Sequence, residues 1–201
     1  KSQGRTRKRR GEIHEPPTKA YLPVPFAKKE RMMHDKLIES MYAKKYDTVT
    51  TSRKDIGDIY VDGVPINIKS NNIDANNYSP NLMSADKMHD YLSDVNNKLQ
   101  FIFVDYRVGV DGEIDIVRER RVEAHHIHWS CLSIQCQGKG VIQLKSSLVV
   151  DETQTRDEFL NGLSSAYIDY ISKERAKLNK LEAKYGAIER RTVKGYYSRS
   201  V

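Results

Sequence analysis

The sequence predicts an α/β fold in which a central mixed β-sheet is flanked by α-helices. Three observations carry that expectation. A helical period opens near Ala27, apolar–polar alternation around Asp-Gly turns fills the middle, and a long capped helical stretch closes near Tyr185. Helix, sheet, then helix within 201 residues is the order of one layered domain.

Residues 1–25 read as an irregular basic arm, because Pro16-Pro17 and Pro23-x-Pro25 exclude a helix. Residues 26–185 are expected to form the folded domain, and 186–201 a basic tail. The first helix spans about Ala27 to Tyr46, with Met33, Leu37 and Met41 on one face and Glu30 and His34 beside them. Asp55 to Ser70 alternates around Asp62-Gly63, which is a hairpin signature. Residues 71–80 are rich in Asn and end in Pro80, so a loop is expected there. A helix from about Leu82 to Asn97 follows. Leu99 to Val110 and Glu113 to Glu119 are strands about an Asp111-Gly112 turn. His128 to Gln137 is a strand leading through Gly138-Lys139-Gly140 into Val141 to Lys145. The last helix runs from about Gln154 to Tyr185, with Thr155 and Glu158 as a capping box and Gly186 as its C-cap.

Charge is unevenly placed. Residues 1–10 carry six basic side chains and no acid, and residues 186–201 carry four against one, so the body between has a net charge of −2 within a total of +7. Basic arms on a near-neutral body suit a polyanion, since neutralising phosphates releases counterions. They equally suit a solvated terminus. No apolar run reaches membrane-spanning length and no signal peptide is visible, so a cytoplasmic setting without a membrane partner is expected. Cys131 and Cys136 are five apart, on opposite faces of an expected strand, which argues against a mutual disulfide.

The hairpin carries the chemistry. Asn67 and Lys69 are two apart and share a face, and the turn brings Asp58 opposite them. An acid, a polar oxygen and a lysine on one face make a metal-nuclease centre. Magnesium takes hard oxygen ligands, and a lysine beside it orients water and stabilises an anionic transition state. The expected ion site is Asp58, Asn67 and the Ile68 carbonyl. The same pair also reads as an ordinary cross-strand ion pair. Asp55, three from Asp58, is expected on the other strand face. His125, His126 and His128 lack the further ligands of a zinc site and read as polar surface or plain structure. Trp129 is expected in the core, and Tyr196, Tyr197 and Arg199 in a frayed tail.

Residues DIYVDGVPINIK (Asp58 to Lys69) resemble the catalytic hairpin of the PD-(D/E)xK nuclease superfamily. SPNLMSADKM (Ser79 to Met88) and IHWSCLSIQ (Ile127 to Gln135), followed by a capped helix, are similar to the HincII/EcoRV-like group of type II restriction endonucleases. The resemblance covers roughly residues 55–180 and is patchy. It implies a restriction-endonuclease-like core and a homodimer. The implied activity is Mg2+-dependent cleavage of double-stranded DNA at a short palindrome, leaving blunt ends, without a small-molecule cofactor. Carried over by position, Asp58 is the first metal ligand, Lys69 the catalytic lysine, and Asn67 stands where the family has Asp or Glu. Glu30 is the candidate extra acid on the first helix. Base contacts are expected from His128, Ser130 and Ser133. The loop with Tyr78, Ser79 and Asn81 approaches the DNA, Tyr78 or Ser79 occupies the wedge position, and Met32 and Met33 are further wedge candidates. Arg7, Arg9 and Arg10 are expected on phosphates. Two alternatives stay open: a structure-specific or repair nuclease of the same superfamily, and a DNA-binding module with an inactive core.

Overall fold

The computed structural model describes residues 28–52, 55–75, 79–135 and 140–197, with side chains described from Met32 to Gly186. The chain is mixed α/β. Helix α1 (Lys28–Lys45) precedes the hairpin β1 (Ile59–Val61) and β2 (Val64–Asn72). Asp62 (φ 50°) and Gly63 (φ 77°) both adopt the left-handed conformation that a tight right-twisted hairpin requires. Strand β3 (Asn81–Ser84), helix α2 (Ala85–Leu92), strand β4 (Gln100–Val108) and strand β5 (Ile114–Glu123) follow. Strands β6 (Leu132–Gln135) and β7 (Val141–Leu144) precede α3 (Arg156–Tyr197).

The strands form two sheets. The larger is ordered β1-β2-β4-β5, with β2 and β4 parallel and the other pairs antiparallel. The smaller is antiparallel, ordered β3-β7-β6. Strand β4 is central and nearly continuous in apolar residues, as a strand buried on both faces should be. Phe101 and Phe103 pack with α2, α3 and the smaller sheet. Ile102, Val104 and Tyr106 pack on the other face against Ile38, Tyr42 and Ala43 of α1.

Four expectations need correction. The stretch from Leu82 begins as a strand, because Leu82 is buried against β7 and the Ser84 hydroxyl, accepting the Lys87 N–H, starts the helix only at Ala85. That helix ends at Leu92, after which Asp94 to Asn97 form a turn closed by the Asn97 N–H on the Asp94 carbonyl. The stretch from His128 is a 3-10 turn before it becomes β6, because the His128 ring accepts the Ser130 N–H and the Trp129 indole donates to the Phe159 carbonyl at 2.8 Å. Finally, α3 does not stop at Gly186. Glycine permits a C-cap without imposing one. Inside an exposed helix it costs only about 1 kcal/mol against alanine, and helix-forming residues follow it here. The boundary expected at 185/186 therefore falls inside a helix.

The capping box and the packing of Trp129 agree with expectation. The capping box at Thr155 and Glu158 forms in both directions. Trp129 packs on Phe159 with ring centroids 5.4 Å apart. Strand β2 runs two residues into the expected loop, where the Asn71 amide donates to Asp105 at 2.8 Å. Cys131 is a buried free thiol whose pKa burial pushes up, while Cys136 lies outside the described residues. Among the described residues no helix is long and apolar enough to cross a membrane.

Candidate active site

Strand β1 is only three residues long, so it covers the edge of β2 as far as Ile66. Beyond that point, among the described residues, no strand pairs with this edge. Asp58, the residue before β1, fills the gap. Its backbone N–H donates to the Ile66 carbonyl at 2.8 Å, and its Oδ2 accepts the Ile68 N–H at 2.7 Å. Within a strand the N–H and carbonyl of one residue point to the same side. The Ile68 carbonyl therefore faces the same open edge as the Asp58 carboxylate.

Asn67 and Lys69 share a face of β2, as their spacing predicts. Lys69 Nζ donates to Asn67 Oδ1 at 3.4 Å, and Asn67 Nδ2 donates to the Ile56 carbonyl at 2.5 Å. Asn67 is buried, so this pair of contacts fixes its amide with the oxygen toward Lys69.

Helix α1 supplies acids from the opposite side. Its inward face is Ile38, Tyr42 and Ala43, while Met33 and Leu37, expected on an apolar face, are 64% and 51% exposed. Asp35 and Glu39 flank the inward face. Asp35 accepts the Ser70 hydroxyl. Glu39 has its pKa pushed above 4.5, first by burial and next by the neighbouring Asp58 charge, with Lys69 opposing. Among the described side chains, the α1 acid that feels the Asp58 charge most plainly is Glu39. Glu30 lies nine residues earlier, about 13 Å along the axis, and its side chain is outside the described residues. The face that Met33, Leu37 and Met41 share is exposed. Asp35, Glu39 and Tyr42, spaced four and three beside Ile38, were the signal.

The helix is held in place at its far end. Tyr42 Oη and Lys45 Nζ each donate to Glu119 Oε2 on β5 at 2.7 Å. Partial burial works to raise the Glu119 pKa, but these two donors outweigh it and hold the carboxyl below its usual range.

An open groove of about 380 Å³ runs from Asp35 and Glu39 across Lys69 to Ser79, Asn81 and Gln143. Ser79 and Asn81, expected near DNA, thus share a groove with Lys69. Gln143 on β7 ties them together, donating to the Ser79 carbonyl at 2.9 Å and to Asn81 Oδ1 at 3.3 Å. Ser133 is directly opposite Gln143 in the β6–β7 ladder, so both are on one face, and Gln135 donates to the Ser133 hydroxyl at 2.9 Å. The other face is core, formed by Leu132, Ile142 and Leu144. Gln143 and Gln135 were missed because their strands are only four residues long, too short to single out one face, although Leu132 to Gln135 alternates strictly.

His128 and Ser130 separate from Ser133. They bond to each other at 2.7 Å in the 3-10 turn, and the His128 N–H binds the Val149 carbonyl. His125 and His126 meet edge to face at 4.3 Å between ring centroids in a preceding 3-10 turn, and burial, then His126, lowers the His125 pKa. Asp55 closes its own loop by accepting the Ser52 N–H. Met32 lines the groove and Met33 points away from the core. Tyr78, Arg7, Arg9 and Arg10 lie outside the described residues, as does Arg199. The backbone of Tyr196 and Tyr197 is helical.

Among the described residues no three His, Cys, Asp or Glu side chains form a metal-holding group. Two oxygens face the open edge, the Asp58 carboxylate and the Ile68 carbonyl, and a third, the Asn67 amide oxygen, lies on the sheet face beside Lys69. That donor set is the hard-oxygen chemistry magnesium takes, with one carboxylate and room for waters. The sequence matches no protein-family model and no curated protein.

Proposed function

We propose that this chain is a Mg2+-dependent endonuclease of double-stranded DNA, built on a PD-(D/E)xK-like core and acting as a type II restriction enzyme on a short palindrome. The observation that carries the reading is that Glu39 feels both the Asp58 and the Lys69 charge at the uncovered edge of β2, lining one open groove with Lys69 and an adjoining pocket with Asp58. A helix before a hairpin, an acid at the start of the first strand and a lysine two residues past a polar oxygen on the second fit that core.

Each side chain then has a task. Asp58, Asn67 Oδ1 and the Ile68 carbonyl would hold the ion, which when bound supplies charge neutralisation at the phosphate. The Lys69 ammonium, directed by Asn67, orients the attacking water and stabilises the charge that builds on the phosphate oxygens. Glu39, its carboxyl held above the usual range by burial, keeps its proton to higher pH than a free glutamate and is the candidate proton-exchanging acid. Ser79, Asn81, Gln143 and Ser133 present polar groups in one row beside the lysine, the arrangement a major-groove edge calls for. A palindrome mirrors a two-fold axis, so two copies act together.

Asn67 favours a second reading, a DNA-binding module with a weakened nuclease centre, because an amide brings no charge to the ion. Digesting plasmid DNA with the full chain and Mg2+, and mapping the ends, separates the two. Discrete fragments with mapped blunt ends at one sequence support the restriction enzyme. Scattered cuts at junctions or flaps favour a repair nuclease. Retention of DNA without any cut favours the module.

A further inference from the structure

Helix α3 is much longer than the body that it packs on. Phe159 and Leu163 are buried, and Tyr167 packs against the core. From Ile171 to Tyr185 every residue except Glu174 is exposed. The helix spans 42 residues, about 63 Å, and roughly its last two thirds extend past these contacts. A helix without packing is marginal in water, and its stability usually comes from an apolar face meeting a partner.

The exposed segment has such a face. Ile171, Leu178 and Tyr185 are seven apart, and Leu181 comes three after Leu178. Their exposures are 43%, 64%, 60% and 48% in that order. These are positions a, a, a and d of a heptad repeat, and the sequence continues it with Ile188 at d. Glu174 takes the first d position, where Lys177 Nζ holds its carboxylate at 2.5 Å.

The flanking charges choose the partner and its direction. Lys177 and Lys184 are at g, while Glu182 and Glu189 are at e. In a parallel pair each g residue meets the e residue five positions later on the other helix. Lys177 then meets the partner's Glu182. In an antiparallel pair g meets g, which sets lysine against lysine, and e meets e, where Arg175, Glu182 and Glu189 stand. We infer that α3 forms a parallel two-stranded coiled coil with a second copy of this chain, through Ile171, Leu178, Leu181 and Tyr185. This names the surface for the two-fold assembly proposed above. It is read by association rather than cleavage, so either reading can fail alone.

Sedimentation equilibrium on the full chain and charge variants tests it. The wild type should be a dimer at micromolar concentration, and Leu178→Asp, at an exposed site, should be a folded monomer by circular dichroism. Lys177→Glu should weaken the dimer about tenfold, and adding Glu182→Lys should restore it. Leu178→Cys should cross-link to itself under mild oxidation, while Ala183→Cys, on the opposite face, and the wild type should not. A monomeric wild type, or a dimer indifferent to Leu178→Asp, overturns the inference. So does unfolding by that variant, which would mean that the chain covers its own seam. A dimer tightened by Lys177→Glu overturns the parallel arrangement.

Discussion

The Asp58 carboxylate accepts the Ile68 backbone N–H at 2.7 Å, taking the place that a longer β1 would have filled with a backbone carbonyl. One side chain thus completes the sheet and faces the site. The two roles separate by substitution. Asp58→Asn keeps an acceptor for Ile68 and should fold with nearly wild-type stability, yet lose cleavage. Asp58→Ala leaves the N–H without that acceptor and should cost about 1–3 kcal/mol as well. Urea denaturation and a plasmid nicking assay on both variants measure the difference. Wild-type cleavage by either would remove Asp58 from the site.

Glu39 is held at a cost in stability. Its pKa is raised above 4.5 in the fold by burial and by Asp58, so ionisation is harder folded than unfolded. Below the unfolded value both states are protonated and the cost is absent. It grows as pH rises through the raised value and is complete above it. Glu39→Gln should therefore raise the melting temperature at neutral pH, lose that advantage in acid, and cleave DNA poorly. Equal destabilisation across the pH range would contradict the assignment.

The Glu119 clamp on α1 should matter at a distance. Its lowered pKa means that its stabilisation is present above the usual carboxylate range and lost as pH falls through the lowered value. Glu119→Gln and Tyr42→Phe should each destabilise the chain by about 1 kcal/mol. Both should slow cleavage by shifting Glu39, with cognate DNA affinity unchanged. Competition binding beside single-turnover kinetics checks this.

Sequence discrimination should follow the polar face of the smaller sheet. Gln143→Ala and Ser133→Ala should each lose about 1–3 kcal/mol of preference for a cognate duplex over a scrambled one. His128→Ala and Ser130→Ala, whose polar groups serve their own turn, should lose less. Isotherms on both duplexes at several salt concentrations decide it. If the His128 and Ser130 variants lose more, the base-reading element lies in that turn.

The hairpin was legible because Asp62-Gly63 demands a left-handed turn, and a two-residue turn fixes which residues face each other. That alone brought Asp58, Asn67 and Lys69 together. The helical acid was not legible. On α1 the apolar stripe Met33, Leu37 and Met41 is more regular than the buried set Ile38, Tyr42 and Ala43, so periodicity drew the eye to an exposed face and Glu39 went unseen. Strand β3 was hidden because Leu82 fits a helical period as well as a strand, and only the Ser84 cap and pairing with β7 separate them. His128 and Ser130 are two apart, as on one face of a strand, but one ring-to-backbone bond folds them into a turn.

The most direct test of the central claim is single-turnover cleavage of supercoiled DNA in Mg2+ by the wild type, Asn67→Asp and Lys69→Ala. Asn67→Asp adds a charged oxygen at the open edge and should cleave at least as fast as the wild type at lower Mg2+, while Lys69→Ala should leave the DNA intact. If neither the wild type nor folded Asn67→Asp cuts DNA with Mg2+, or if Lys69→Ala cuts at the wild-type rate, this groove is not a nuclease centre.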